Sequence, residues 1–298
     1  MPDIWSQWLL HQRHADDPAF AAAIRDSIAS YENRALDAAQ LAPGDTLLDA
    51  GAGEGHLAWR AIARLGPDLK VILADISAPL LAYAAAQAKA RHIADQCQFI
   101  ETSIETLAGI PDASVDAVTT RAALAYAADK PAAFAALHRV LKPGGRISLA
   151  EPVFRDDAYA AAALKTLAAA QPDNHLTRLL HRWKAAQFPD TPEAIAATPI
   201  TNYGERDLIG YAQAAGFIRL HMELHIDIAP TSAPSWEAFL DMSPHPLASP
   251  LRTIMENASS EERAILEQHL RPGIEAGMAL SPARIVYLSA QTKPAAAH

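Results

Sequence analysis

TLLDAGAGEG, residues 46–55, is the stretch that decides the fold. Its first five residues form an apolar run too short for a helix and the right length for a buried strand. Glycines then stand at every second position, 51, 53 and 55. They let the chain turn sharply and leave no side chain between backbone and ligand. HLAWRAIARLG, residues 56–66, returns to helical spacing. The helix therefore aims its N-terminus at whatever fills the turn, a place suited to a carboxylate or phosphate.

The alternation continues on both sides. Upstream, residues 18–40 put Phe20, Ile24, Ile28, Tyr31 and Leu36 near helical spacing, and APGD at 42–45 ends that helix. Downstream, VILAD (71–75), CQFIE (97–101), VDAVTTR (115–121) and RISLAE (146–151) read as strands. Helices at 80–94 and through AAFAALHRVLK separate them, the last stopped by Pro143-Gly144-Gly145. Strands alternating with helices of about 10–15 residues make parallel βαβ units with both sheet faces covered. The expected fold is an open, doubly wound α/β sheet.

In such a sheet ligands sit outside the carboxyl ends of the strands. Asp75 closes the second strand, where its carboxylate can accept two charge-assisted hydrogen bonds from a ribose diol. The glycine spacing is G-x-G-x-G, whereas the dinucleotide fingerprint is G-x-G-x-x-G, and the difference favours a cofactor without a pyrophosphate.

The 298 residues, half of them hydrophobic, suffice to bury a core without metal or disulfide support. The single cysteine, Cys97, excludes an internal disulfide and a multi-cysteine metal site. A net charge of -9 argues against contact with nucleic acid. The N-terminus lacks the layout of a signal peptide, and no apolar run is long enough to span a membrane, so a cytoplasmic protein without a membrane partner is expected.

LLDAGAGEG, VILADIS, IPDASVDAVTT and HRVLKPGG together resemble the class I S-adenosylmethionine-dependent methyltransferases, in particular the small-molecule branch near the quinone methyltransferases. The resemblance covers roughly residues 30–155 and a strand pair near 217–228 and 285–291. It implies a Rossmann-like, mostly parallel seven-stranded sheet and S-adenosylmethionine as cofactor, leaving as S-adenosylhomocysteine. It places Asp49, Gly51, Ala52 and Gly53 at the methionine part, Asp75 on the ribose hydroxyls and Ile76 against the adenine. Tyr31 is expected on the cofactor from the N-terminal side. Ser103 stands where the family often has an aspartate facing the adenine amino group, and Ile104 would form an apolar wall. Arg121 is not a usual family residue. It is expected to pair with the cofactor carboxylate or with Glu151.

The implied core comprises residues 46–155, 203–228 and 284–292, preceded by N-terminal helices at 1–45. Two insertions, 156–202 and 229–283, read as a helical lid, with a homodimer surface as the alternative reading of the same helices. Trp5, Trp8 and Leu9 share one helical face and need a partner in the lid or another subunit. Trp183, Tyr203, Trp236 and Met242, in or beside the insertions, are expected to line an apolar pocket for the small-molecule acceptor. Methyl transfer needs alignment and exclusion of water, and a base only if the acceptor loses a proton. Glu151, His245 and His14 are the candidates for that role. His221 and His225 share a strand face but have no third ligand, so no metal site is expected.

The reading is thus methylation of an oxygen or nitrogen, less readily a carbon, of a small apolar or aromatic metabolite. A nicotinamide-dependent oxidoreductase and a non-catalytic S-adenosylmethionine-binding module are the alternatives. A nucleic-acid methyltransferase is disfavoured by charge and by TTRAAL at 119–124, an arsenite methyltransferase by the lone thiol.

Overall fold

Seven strands form one sheet in the computed structural model, which describes residues 2–231 and 233–295. They are β1 (Thr46–Ala50), β2 (Lys70–Asp75), β3 (Cys97–Glu101), β4 (Val115–Arg121), β5 (Leu141–Pro152), β6 (Ile218–Pro230) and β7 (Leu280–Gln291). They lie in the order β3-β2-β1-β4-β5-β7-β6. The first five run parallel, and β7 is antiparallel to both of its neighbours. The chain order reverses between β1 and β4, which opens the crevice where such sheets take their ligands.

Helices cover both faces, as parallel strands require. On one side lie α2 (Pro18–Ala39), α3 (His56–Leu65) and α4 (Ala78–Ala90), which pack through Leu36, Trp59, Ile62, Leu81 and Ala84. On the other lie α5 (Lys130–Val140) and, later in the chain, α9 (Glu205–Ala214), through Phe134, Leu137 and Leu208. The small residues Ala35, Ala39 and Ala58 let helices approach the strands closely, and the Ser148 hydroxyl on β5 donates to the Ala35 carbonyl at 2.7 Å.

The segment read as a turn before the fifth strand is instead part of β5. Leu141 already pairs with Val115, and a register shift between Val115 and Ala117 accommodates the glycines. The end of β7 holds this stretch, because Gln291 donates to the Gly144 carbonyl and Gly144 N–H donates to that of Lys293. A side chain at Gly145 would meet two backbone oxygens at 2.9 Å, which is why glycine stands there.

The remaining helices of the second half are α6 (Arg155–Ala170), α7 (His175–Ala185), α8 (Pro192–Ala197), α10 (Trp236–Asp241), α11 (Leu251–Glu256) and α12 (Ser260–Glu275). Strands β6 and β7 pair as far as Pro230 and Leu280, so α10, α11 and α12 are carried at the tip of that hairpin. α7, α10, α11 and α12 enclose an apolar cluster of their own, with Leu179, Trp236, Leu251 and Leu266 at its centre. Trp236 stacks on Phe239 with ring centroids 5.8 Å apart, and Trp183 meets Phe239 edge-on at the same distance. No described helix is long and apolar enough to cross a membrane.

Because Trp236 is 4% exposed within this separate cluster, its truncation acts on the helical unit. Trp236→Ala is expected to cost about 3–5 kcal/mol of local stability. Hydrogen exchange should accelerate in α7, α10 and α12 while β1 and β2 keep their protection; equal loss in those strands would contradict a separate cluster.

Candidate active site

The turn after β1 is held from two sides. Gly51 N–H and Ala52 N–H both donate to the Ala74 carbonyl at the end of β2, at 2.8 and 3.0 Å. Gly53 N–H donates to one oxygen of Asp75 at 2.8 Å, and Ser77 N–H to the other at 2.9 Å. Gly51 has φ +76°, and a side chain there would lie 2.2 Å from the Cβ of Ala123, in the turn after β4. Only glycine fits, on both counts.

Around this turn opens a cavity of about 490 Å³. Its walls include Asp49, Gly51, Ala52, Gly53, Asp75, Ile76, Ser103, Ile104 and Arg121, so nine of the ten residues expected at a cofactor border one space. Tyr31 does not; it lies on α2 against the core facing that helix. Its side chain is turned toward Asp227 and Tyr287 of the β6–β7 pair, whereas that of its neighbour Glu32 meets Arg121.

Asp49 is buried at 2% exposure. One oxygen accepts from the Thr119 hydroxyl at 3.4 Å and the other has no partner. Burial pushes the carboxyl up to about 7, with Arg121 opposing and Glu32 and Asp75 adding to the rise. A buried acceptor without a donor is costly, so this oxygen is poised for a cationic ligand group. Burial also raises Asp75, against the hydrogen bonds from Ser77 and Gly53.

Arg121 does not pair with Glu151. Its Nε lies 3.6 Å from Glu32, a buried carboxylate on α2 that also accepts from Arg60 at 3.1 Å. Glu151 is wholly buried away from the cavity wall, where it accepts from the Thr120 hydroxyl and from the N–H groups of Ala123 and Ala125 at 3.3 and 3.1 Å. It shapes the turn after β4, and its oxygens are engaged by that turn.

The other two base candidates are displaced as well. His245 is 1% exposed; its Nε2 lies 2.9 Å from the Gln187 carbonyl and its Nδ1 accepts from Leu247 N–H. Burial pushes it down to about 4, so it is neutral and has no free lone pair. It clamps the loop whose neighbours Pro244 and Pro246 reach the cavity. His14 sits in the turn after the first helix, beside the cavity wall residue Arg13 and not on the wall itself.

None of the four residues expected on the acceptor lines the cavity. Trp183 and Trp236 are used by the core of the helical unit, and Met242 is half-buried just beyond α10. Tyr203 is fully buried, donates its hydroxyl to the Pro152 carbonyl and carries the Lys130 ammonium 4.6 Å above its ring. Aromatic content marks cores there: Trp183 and Trp236 pack in the cluster of α7 and α10–α12, and Tyr203 in the core under the sheet.

The walls that composition did not reveal come from elsewhere. Helix α1 (Ile4–Leu10) lays Trp5, Trp8 and Leu9 over the glycine turn. Trp5 meets Tyr126 edge-on at 4.9 Å, and Trp8 Nε1 donates to the Ser243 hydroxyl at 3.0 Å. The shared helical face of these residues was the one available signal. Arg13 donates to Glu54 at 2.7 Å, and both line the cavity with His56. Burial favours the neutral Glu54, but His56 and Arg13 outweigh it and hold the carboxyl below its usual range. At the ends of β4 and β5 stand Tyr126, Pro152 and Phe154. Among the described residues no cluster of His, Cys, Asp and Glu is arranged to hold a metal ion.

Comparison with known proteins matches residues 41–204 to a family described as a methyltransferase domain. Nocamycin O-methyltransferase of Saccharothrix syringae is 29% identical over 271 residues, 88% of this chain and 90% of that protein. A ubiquinone/menaquinone biosynthesis C-methyltransferase of Hahella chejuensis is 34% identical over 116 residues, 39% of this chain and 46% of that relative, so the second match spans less than half of its length. The YcgJ protein from Bacillus subtilis shares the fold with a TM-score of 0.56 at 17% identity, covering 89% of this chain and 99% of that one. A geranyl diphosphate methyltransferase solved with GPP and sinefungin superposes with a TM-score of 0.52 at 19% identity, over 92% and 83% of the two chains.

Two substitutions test the cavity against S-adenosylmethionine by titration calorimetry. Asp75→Ala is expected to weaken binding by at least ~1.5 kcal/mol; unchanged affinity would remove Asp75 from the site. Asp49 is protonated below about 7 in the free protein and must lose that proton to take a cation. Affinity should therefore fall as the pH drops below that value, by up to about tenfold per unit. Asp49→Asn should flatten the profile, and a slope that survives the substitution would assign it to another group.

Proposed function

The chain belongs to the class I S-adenosylmethionine-dependent methyltransferases, and from that premise we propose that it methylates an oxygen or nitrogen of a small apolar or aromatic metabolite. The observation that carries this reading is the cavity wall beyond the glycine turn. It is built from Trp5, Tyr126, Pro152, Phe154, Pro244 and Pro246. Such a wall recognises an acceptor by area and shape. The similarity to an O-methyltransferase along 88% of the chain supports oxygen as the receiving atom.

The residues present fit the cofactor. The unpartnered oxygen of Asp49 suits its ammonium group, and Arg13 and Arg121 suit its carboxylate. Asp75 suits the ribose hydroxyls, with Ile76 and Ile104 as apolar walls for the adenine. When bound, S-adenosylmethionine supplies a methyl carbon already activated by a sulfonium.

What remains for the protein is orientation and exclusion of water. Trp5, Trp8 and Leu9 cover the space from the N-terminal side, and Pro244 and Pro246 close it from the helical unit. Tyr126 keeps its proton, because burial and then the nearby Glu151 push its hydroxyl well above the usual range. It holds that proton at Oη and orients an acceptor oxygen without removing its hydrogen. With Glu151 and His245 engaged elsewhere, the favoured acceptor is one acidic enough to react as its own anion: a phenol, an enol or a carboxylic acid.

Incubation with methyl-labelled S-adenosylmethionine and a panel of these three classes, read by mass spectrometry, tests the proposal. Methyl ethers or esters are expected, with a rate at saturating cofactor that follows the acceptor's own ionisation. Transfer to carbon alone would overturn the reading. Phe154→Ala is expected to raise KM for the acceptor while leaving cofactor affinity unchanged.

A further inference from the structure

Strand β6 is the outer strand of the sheet, bonded there to β7 alone. Its two faces differ. Leu224, Ile226 and Ile228 point to one side and are 42%, 52% and 66% exposed. His221, Glu223, His225 and Asp227 alternate on the other. A long edge strand with an exposed apolar row is a template for pairing, and single chains normally blunt it. We propose that β6 pairs antiparallel with β6 of a second copy of this chain, about a two-fold axis perpendicular to the sheet and centred on Leu224.

The occupant and the register follow from the sequence of the strand. A perpendicular two-fold puts residues of the same face opposite each other, so only pairings between positions of equal parity arise. Centring on Leu224 sets His221 against the partner's Asp227 and Glu223 against the partner's His225. Opposite-charge and hydrogen-bonding pairs directly across a ladder stabilise it. Centring on Glu223 or His225 instead places that residue against its own copy, and the latter also sets Glu223 against Asp227. Centring on Met222 or Ile226 loses both of these pairings and makes a single one in their place, His221 with Glu223 or His225 with Asp227.

On the other face the Leu224 register matches Leu224 with itself and Met222 with the partner's Ile226, covering the exposed row. Leu224 is also the midpoint of Ile218–Pro230, so this register overlaps the two strands along their full length. A register shift between Ile218 and His221, with Arg219 at φ +52°, leaves residues 221–230 as the regular part of the strand, so in this register the regular parts of the two copies overlap over 221–227.

Within one chain Glu223 already accepts from His221 and His225 at 3.0 Å each and from Arg34 on α2. Tyr287 of β7 packs on His225 with centroids 5.0 Å apart. Pairing would exchange part of these local contacts for the equivalent ones across the axis, leaving Arg34 in place. The proposal is independent of the acceptor chemistry.

Analytical ultracentrifugation of the full chain at micromolar concentration reads the association. A dimer is expected, weakened at least ~10-fold by Leu224→Lys, which adds a charge at the axis. In a Cys97→Ser background, Leu224→Cys should form a disulfide-linked dimer on mild oxidation, since the axis sets the two residues face to face. Ile228→Cys should not, because it faces Leu220. A monomer, or a dimer that withstands Leu224→Lys and is not captured by the Leu224 thiol, would overturn the proposal.

Discussion

Two N–H groups, those of Gly51 and Ala52, share the single carbonyl of Ala74. This pairing ties the end of β1 to the end of β2, and the rest of the site depends on it. With the turn fixed there, Gly53 N–H reaches Asp75, and the bare α-carbon of Gly51 admits the Ala123 methyl from the turn after β4. Three strand ends are drawn around one space, which Asp49, Asp75 and Arg121 then face. A side chain at Gly51 would collide with Ala123 in the turn after β4.

Buried carboxylates act as the frame of this space. Glu151 gathers N–H groups of the turn after β4, and Glu32 stands between Arg60 and Arg121. Taking a carboxylate out of water costs several kcal/mol unless donors replace the water. Glu151 therefore fixes the backbone that satisfies it, and Glu32 draws two guanidinium groups toward itself, with one oxygen hydrogen-bonded to Arg60 and the other facing Arg121 at 3.6 Å. Asp49 also keeps one oxygen without a donor, and it does so on the cavity wall, where a ligand can supply one.

The covering elements meet across the cavity mouth. Trp8, from the N-terminal helix, donates to Ser243 in the loop that follows α10. His245 clamps that loop to the Gln187 carbonyl, and its depressed basicity keeps it neutral and the clamp intact at neutral pH. The prolines on either side of it become wall residues with little freedom to move. Both ring nitrogens of His245 are thus engaged within the protein, between two residues of the cavity wall.

Much of this was legible from local pattern. The alternation of strand and helix, the glycine turn and the acid closing β2 each depend on a few neighbouring residues, and their physics is the same wherever they occur. Those signals placed Asp49, Gly51, Ala52, Gly53, Asp75, Ile76, Ser103, Ile104 and Arg121 at one end of the sheet, and all of them border the cavity. The rest of the cavity wall was not legible in that way. The aromatic character of Trp183, Trp236 and Tyr203 suits a site and a core alike, because apolar burial is non-directional, and the cluster of α7 and α10–α12 and the bond from Tyr203 to β5 absorb them. Sequence by itself determined the sheet, the turn and the cofactor end, because period and spacing act over a handful of residues. Only the tertiary structure decided what completes the cavity wall. Trp8 and Ser243 stand 235 positions apart, and nothing in either segment alone specifies that they meet.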